Sequence, residues 1–252
     1  MKSKAAMVNT PEIARAYVKT LTDHAFVAPA GFAPEALTLT QAYDVQDAAL
    51  RFRQLEGDQT TGYKVGCTSA AIRTQFGLTE PVSARLFHSE QHASGSTLSW
   101  DNYVNLAVEP EFALFIGQQG QIEWIAAAIE IHNYRFWSGT PSSQELVMSN
   151  AIHAGVVLGE TRMPVDAFDM NAARVDILIN DEIRATGFGH GIMQGPLSSL
   201  AWLERHLHKR NLALQPGHIV IPGSPVELIS VPRGARVETR IEGLGNATAL
   251  FA

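Results

Sequence analysis

Glu109 and Glu111 stand inside an apolar run, Leu106-Ala107-Val108-Glu109-Pro110-Glu111-Phe112-Ala113-Leu114-Phe115-Ile116. The run has the apolar and aromatic character of a strand. Strand side chains alternate in direction, so the two glutamates share a face and lie about 6–7 Å apart along the chain. Two carboxylates this close among apolar neighbours repel each other and lose solvation. They are tolerated if one is protonated, if a cation joins them, or if both reach water. A bound hard cation is the solution that would do chemistry. The plainer solution is an exposed edge strand with one polar face, and Pro110 favours it because proline donates no ladder hydrogen bond.

Two further charged groups interrupt apolar runs. Glu130 lies in Ala126-Ala127-Ala128-Ile129-Glu130-Ile131, and a third acid in such a setting makes a shared cation more plausible; an ion pair with Arg135 is the plainer alternative. Hard cations such as Mg²⁺ take carboxylate oxygens and keep waters, which leaves positions open for a substrate. Lys64 lies between glycines in Gly62-Tyr63-Lys64-Val65-Gly66-Cys67-Thr68-Ser69. Burial lowers a lysine pKa and can make it a base or acid; the alternative is a lysine that snorkels to the surface. Gly187-Phe188-Gly189-His190-Gly191 fits neither a phosphate-binding loop nor a dinucleotide fingerprint and is expected to be a turn or mobile loop. The histidines form no HExxH pair, and no Gly-x-Ser-x-Gly elbow is present.

The elements that must position these groups are legible in outline. Thr10, Pro11 and Glu12 open a helix carrying Ile13, Ala14, Tyr17, Val18 and Leu21; a second runs from Thr40 to about Leu55 and ends at Gly57. After Gly62 short apolar runs alternate with turn residues: Tyr63–Cys67, Leu106–Ile116, Trp124–Ile131, Gly155–Leu158, Arg174–Ile179, His218–Ile221 and Arg236–Ile241. Helical stretches interrupt at Ser69–Phe76 and from Pro196 to about Lys209, the latter ending in basic residues that suit the helix dipole, with Trp202 as core. The expected architecture is α+β, with a small helical N-terminal part over residues 1–61 and a strand-rich body over residues 62–252.

The totals exclude several classes. Of 252 residues, 46% are hydrophobic and 17% charged, an ordinary globular balance, and the net charge of −6 without a basic stripe gives no nucleic-acid footprint. Cys67 is the single cysteine, so no intramolecular disulfide or multi-cysteine zinc site can form. No apolar stretch approaches a membrane span, and Met1–Val8 lacks the core of a signal peptide. A soluble cytoplasmic protein is expected.

Taken in order, these segments resemble the fumarylacetoacetate hydrolase superfamily, and more narrowly its hydratase/decarboxylase branch. Ala42-Tyr43-Asp44-Val45-Gln46, Gly62–Ser69, Glu80-Pro81 and Leu86-Phe87 are similar to that branch's motifs. So are Glu109-Pro110-Glu111, Ala128-Ile129-Glu130-Ile131 with Arg135, Asn150-Ala151, Ala154–Gly159, Ala201-Trp202-Leu203, Gly217–Val220, Gly223-Ser224 and Glu242–Gly245. The resemblance implies a mixed β-roll body and a divalent ion, Mg²⁺ or Mn²⁺, held by Glu109, Glu111 and Glu130. It implies a 2-oxo acid substrate whose enolate the ion stabilises, Lys64 moving protons, and Gly223 and Ser224 lining the substrate pocket. A homo-oligomer and a role in aromatic catabolism come with it.

Several family polar groups are replaced. Val82 and Ser83 stand where an acid follows Glu-Pro, Ser149 precedes Asn150, Gly195 precedes Pro196, and Asn133 replaces an aspartate. The leading expectation is hydration of a 2-hydroxy-2,4-dienoate, with 2-oxo acid decarboxylation close behind. An oxaloacetate-like tautomerase needs only metal and a proton shuttle. An acylpyruvate C–C hydrolase needs a base to activate water, for which His132 and His153 are nearest in sequence. A non-catalytic member of an oligomer is the rival from another class; the intact Lys64, Glu109, Glu111 and Glu130 oppose it, because an inactive site gains nothing from costly buried charges.

Overall fold

A computed structural model describes residues 9–136 and 140–252. The expectation for Met1–Val8 lies outside them. Helix α1 (Thr10–Asp23) begins one residue earlier than its sequence signals suggest, because the Asn9 side chain accepts from the Glu12 N–H and forms the cap. Helix α2 (Leu39–Leu55) starts with a reciprocal capping box between Thr38 and Gln41. Then come β1 (Thr60–Gly66), α3 (Ala70–Gln75), β2 (Val82–Phe87), β3 (Gln91–Ala93), β4 (Ser96–Leu98), β5 (Ala107–Ile116) and β6 (Ile122–His132). The chain continues through α4 (Ser143–Met148), β7 (His153–Leu158), β8 (Met163–Pro164), β9 (Arg174–Ile179), β10 (Glu182–Phe188) and α5 (Pro196–Lys209). It ends with β11 (Ile219–Ile221), β12 (Ile229–Ser230), β13 (Ala235–Ile241) and β14 (Gly245–Phe251). Among the described residues no helix is long and apolar enough to cross a membrane.

The strands form two mixed sheets. One has the order β2-β1-β11-β5-β6-β7-β3, with β12 added on β5 and β8 on β6; the other has the order β10-β9-β13-β14-β4. Alternation along β5 and β6 assigns their two faces. Val108, Phe112, Leu114, Ile129 and Ile131 join Val175, Ile177, Val237 and Phe251 of the second sheet in the main core. Ala113, Ala126 and Ala128 lie on the opposite face with Leu86 and Ile221. Helices α1, α2 and α4 pack against Val82 and Ala84 of β2. Glu109, Glu111, Glu130 and Lys64 alternate with main-core residues, so they belong to the helix-bearing face.

β5 is interior, which overturns the edge-strand reading of Pro110. β6 pairs with it along its whole length, Glu109 opposite Glu130 and Pro110 opposite Ile129. On its other side β12 pairs with Ala107 and Val108, and β11 with Leu114 and Phe115. Pro110 falls between these two partners, where no ladder bond is asked of its nitrogen. The Gly187–Gly191 segment is the end of β10 followed by a 3₁₀ turn over Gly189–Gly191.

β1 approaches β11 in parallel, Gly62 opposite Ile219. Gly62 has φ +153°, and a Cβ built there would lie 1.8 Å from the Ile219 carbonyl oxygen. Only glycine permits this contact, which sets the position of Lys64 two residues on. Gly62→Ala should therefore cost at least about 3 kcal/mol. In thermal unfolding that is a fall in Tm of roughly 6–12 °C for a chain of this size; an unchanged midpoint would mean that β1 can move away from β11 freely.

Candidate active site

The described structure brings Lys64, Glu109, Glu111 and Glu130 together, and adds His132 and His153. Glu109 and Glu130 face each other across the β5–β6 ladder, with Glu111 one pleat along β5. Lys64 Nζ lies 2.9 Å from Glu130 Oε1, and His153 Nδ1 lies 2.7 Å from the same oxygen. His132 Nε2 sits 3.1 Å from Glu109 Oε2 and 3.3 Å from Glu130 Oε2. Lys64, Glu111, Glu130, His132 and His153 are all buried, whereas the Glu109 side chain keeps 21% exposure and marks the open side of the cluster.

A bulge aims His153. β6 and β7 pair Ile131 with Gly155 but His132 with His153, leaving Ala154 as the extra residue. In unbroken register His153 would share the main-core side with Ile131; the bulge turns it toward Glu130 instead. The preceding Asn150, Ala151 and Ile152 have φ of 58°, 50° and 53°. Left-handed backbone costs these residues about 1–3 kcal/mol each. The Asn150 side chain opposes that strain by accepting from the Arg85 N–H at 2.8 Å and donating to the Arg85 carbonyl at 2.9 Å.

Glu111 depends on a different device. The loop joining β11 to β12 crosses the gap beside β5, and the Gly223 N–H donates to Glu111 Oε2 at 2.6 Å. Gly223 has φ +111°, and a Cβ there would meet Thr68 Cγ2 at 2.5 Å, so the close approach requires glycine. Ser224 accepts from the Val226 N–H and shapes the turn. Arg135 donates to the Leu21 and Asn102 carbonyls, so it is not the partner of Glu130. Asn133 accepts from the Val104 and Arg135 N–H groups and serves the backbone.

The electrostatics follow from who faces whom. Burial pulls the Lys64 pKa down, but Glu130, then Glu109 and Glu111, outweigh it and hold the ammonium above its ordinary value. This reverses the lowered pKa expected for a buried lysine: Lys64 is a protonated acid here. Burial also opposes the charge of Glu130, yet His132 and Lys64 draw it well below the usual carboxylate range. His132 likewise overcomes burial, through Glu130 and Glu109, and is raised. For Glu111, burial and then its two carboxylate neighbours, Glu130 and Glu109, outweigh the Gly223 N–H and Lys64 and push it well above the carboxylate range. Burial pushes the nearby Cys67 thiol up to about 11, so it is not a thiolate nucleophile at neutral pH.

Sequence alone named His132 and His153 only as possible bases of a hydrolase. Their convergence on Glu130 required the bulge, which no local pattern signals. His153 also lines a polar cavity of about 490 Å³ beside the C-terminal end of α1, together with Arg53, His92, Tyr103 and Arg135.

The pair of mixed sheets has the fold of solved fumarylacetoacetate hydrolase family structures, and the resemblance to the hydratase/decarboxylase branch is borne out. The chain is similar to 2-keto-4-pentenoate hydratase 1 of Dechloromonas aromatica (strain RCB), 29% identical over 263 aligned positions that cover 99% of this chain and 100% of that one. It is 24% identical to 2-oxo-hept-4-ene-1,7-dioate hydratase of Escherichia coli, over 85% of this chain and 87% of that one. The structure of 4-oxalocrotonate decarboxylase from Pseudomonas putida G7, complexed with magnesium and adipate, superposes with a TM-score of 0.91 at 21% identity, covering 96% and 97% of the two chains. Fumarylpyruvate hydrolase from Pseudomonas aeruginosa, in complex with Mn²⁺ and pyruvate, gives a TM-score of 0.58 at 20% identity over 75% and 88%. No family model matches the chain.

Glu130 has three basic groups within 3.3 Å and Lys64 one carboxylate oxygen at 2.9 Å, which predicts an order of stabilities. Glu130→Gln leaves Lys64 and His132 buried without their principal counter-charge and should cost about 3–5 kcal/mol. Lys64→Met should cost less, because His132 and His153 still hold Glu130. Urea unfolding of the metal-free proteins tests this, and the opposite ranking would show that Glu130 is not the centre of the cluster.

Proposed function

We propose that the protein is a divalent-metal-dependent lyase acting on a 2-oxo acid through its enolate, and that its reaction is hydration of a 2-hydroxy-2,4-dienoate. The observation that carries this is the converging set of Glu109, Glu111, Glu130 and Lys64 on a fold shared with metal-complexed enzymes. The residues fit a cation. Glu111 Oε1 is buried with no hydrogen-bond partner among the described residues, and an ion shared by Glu109, Glu111 and Glu130 would satisfy it. Carboxylate oxygens suit Mg²⁺ or Mn²⁺. When bound, such an ion supplies Lewis acidity that stabilises a 2-oxo acid enolate.

The chain's own residues do the rest. Lys64 begins as an ammonium, delivers its proton to carbon as the dienol ketonises, and recovers the proton that the enol hydroxyl gives up. Glu130, itself held by His153, keeps the Lys64 Nζ in place, and exclusion of water from the buried face strengthens the effect. The Gly223 N–H orients the Glu111 carboxylate, and Ser224 follows it at the rim of the pocket. Water then adds to the conjugated double bond from the side that Glu109 leaves open. By resemblance, a homo-oligomer and a cytoplasmic setting in aromatic catabolism go with this reading.

Decarboxylation through the same enolate is the second reading, and β2 favours it. Val82 and Ser83 bring no carboxylate to Lys64; the Ser83 N–H donates to the Tyr43 hydroxyl and its carbonyl accepts from Gln46. Loss of CO₂ needs no group to activate water, so that absence costs it nothing.

Oxalate mimics the pyruvate enolate. Calorimetry should show oxalate binding with Mg²⁺ or Mn²⁺ and none with chelator, while metal-independent binding would refute the site. Glu111→Gln should abolish metal-dependent binding yet leave the metal-free protein as stable or more so, since the amide keeps the Gly223 contact and removes the repulsion. Lys64→Met should spare metal binding and slow deuterium uptake into a 2-oxo acid by about 10²–10⁴-fold. Unchanged uptake would remove Lys64 from the proton path.

A further inference from the structure

The carboxylates are not the only ligand-type atoms at the centre of the cluster. Among the described residues, one oxygen each of Glu109 and Glu130 and one His132 ring nitrogen lie within 4.8 Å of one another, a set that does not contain Glu111. His132 Nε2 stands 3.1 Å from Glu109 Oε2 and 3.3 Å from Glu130 Oε2. Adjacent ligands of an octahedral ion with bonds of 2.0–2.1 Å are about 3.0 Å apart, so these separations already approximate two edges of an octahedron. His132 occupies the place between two carboxylates where a cation would sit, and it does so as the last residue of β6, with 2% exposure. An ion entering between Glu109 and Glu130 must meet the imidazole or displace it into packed apolar neighbours.

We propose that His132 Nε2 is a metal ligand, joining Glu109 and Glu130 so that the site is of mixed nitrogen and oxygen type and favours Mn²⁺ over Mg²⁺. This rests on the metal-dependent reading above and deepens it. Nε2 coordination requires the Nδ1–H tautomer. His132 Nδ1 has no hydrogen-bond partner among the described residues, so adopting that tautomer breaks no existing Nδ1 bond. His153 is not in this set: its Nδ1 lies 2.7 Å from Glu130 Oε1, and its unpartnered Nε2 does not join the cluster of ligand atoms. Imidazole suits first-row transition ions, whereas Mg²⁺ prefers oxygen and keeps its waters. The nitrogen therefore adds selectivity that three carboxylates lack. Glu111, set deeper and oriented by Gly223, completes the charge around the ion.

Pulsed electron paramagnetic resonance of the full chain loaded with Mn²⁺ tests the assignment directly, without turnover. The expected result is a ¹⁴N coupling from a directly bound imidazole that becomes a ¹⁵N coupling when histidine is ¹⁵N-labelled. It should persist in His153→Gln and be lost in His132→Gln, whose preference for Mn²⁺ over Mg²⁺ should also fall. Should His132→Gln fail to fold, the labelled wild-type spectrum together with His153→Gln still decides. Bound Mn²⁺ without nitrogen coupling in the wild type, or coupling retained in His132→Gln, would overturn the assignment and leave the carboxylate site standing. Failure of the wild type to bind Mn²⁺ at all would overturn both.

Discussion

A sheet interior cannot hold a bare carboxylate, and the rest of this site is arranged around that limit. Glu130 is 1% exposed on a face of alanines and branched aliphatic residues. Attraction between unit charges 2.9 Å apart is roughly 6 kcal/mol at an effective dielectric constant of 20, while removing each ion from water costs several kcal/mol. One lysine against one glutamate is close to break-even. Glu130 is secured because His132 and His153 reach it as well, and Lys64 is secured because all three glutamates contribute to its field. The cluster stands or falls as a unit.

The scaffold supplies positions that side-chain chemistry alone could not. Three strands carry the groups: β1 brings Lys64, β5 brings Glu109 and Glu111, and β6 brings Glu130 and His132. Their placement depends on close approaches that only glycine allows, of Gly62 to the Ile219 backbone and of the Gly223 loop to the Thr68 side chain. Strain is tolerated where it aims a side chain, in the left-handed Asn150-Ala151-Ile152 turn ahead of the His153 bulge, and the Asn150 clamp on β2 holds it there. Two packed sheets on the other face make this rigid enough that a ligand set can be pre-formed before any ligand arrives.

Much of this was legible because the charged residues interrupt apolar runs. The strands carrying Lys64, Glu109, Glu111 and Glu130 were read close to their true limits, as was α5. What escaped has identifiable causes. β10 is exposed and polar, β14 is built largely of small residues, and α4 has only six residues, so none shows a strong period. Pro110 suggested an edge because a sequence does not reveal that two partners, β11 and β12, share one side of β5 and leave a gap between them. The sign of the Lys64 shift is hidden from sequence for a related reason: burial is local and readable, but the carboxylates that outweigh it come from other strands.

Glu111 shows how stability and function pull apart within the cluster. Glu111 has a single backbone donor, and its two carboxylate neighbours and burial outweigh that donor and the field of Lys64. In the metal-free fold it is a net cost, since a glutamine would keep the Gly223 hydrogen bond without the repulsion. A non-catalytic subunit would gain nothing from that cost. On the proposed reading, a cation between β5 and β6 would offset that cost, and the residue least favourable alone would be part of what holds the ion. A cation there would also offset the carboxylate field that favours the Lys64 ammonium, which suits the proton-donor role proposed for it. Charge balance in the metal-free state and proton transfer in the loaded state are thus two consequences of one arrangement of strands.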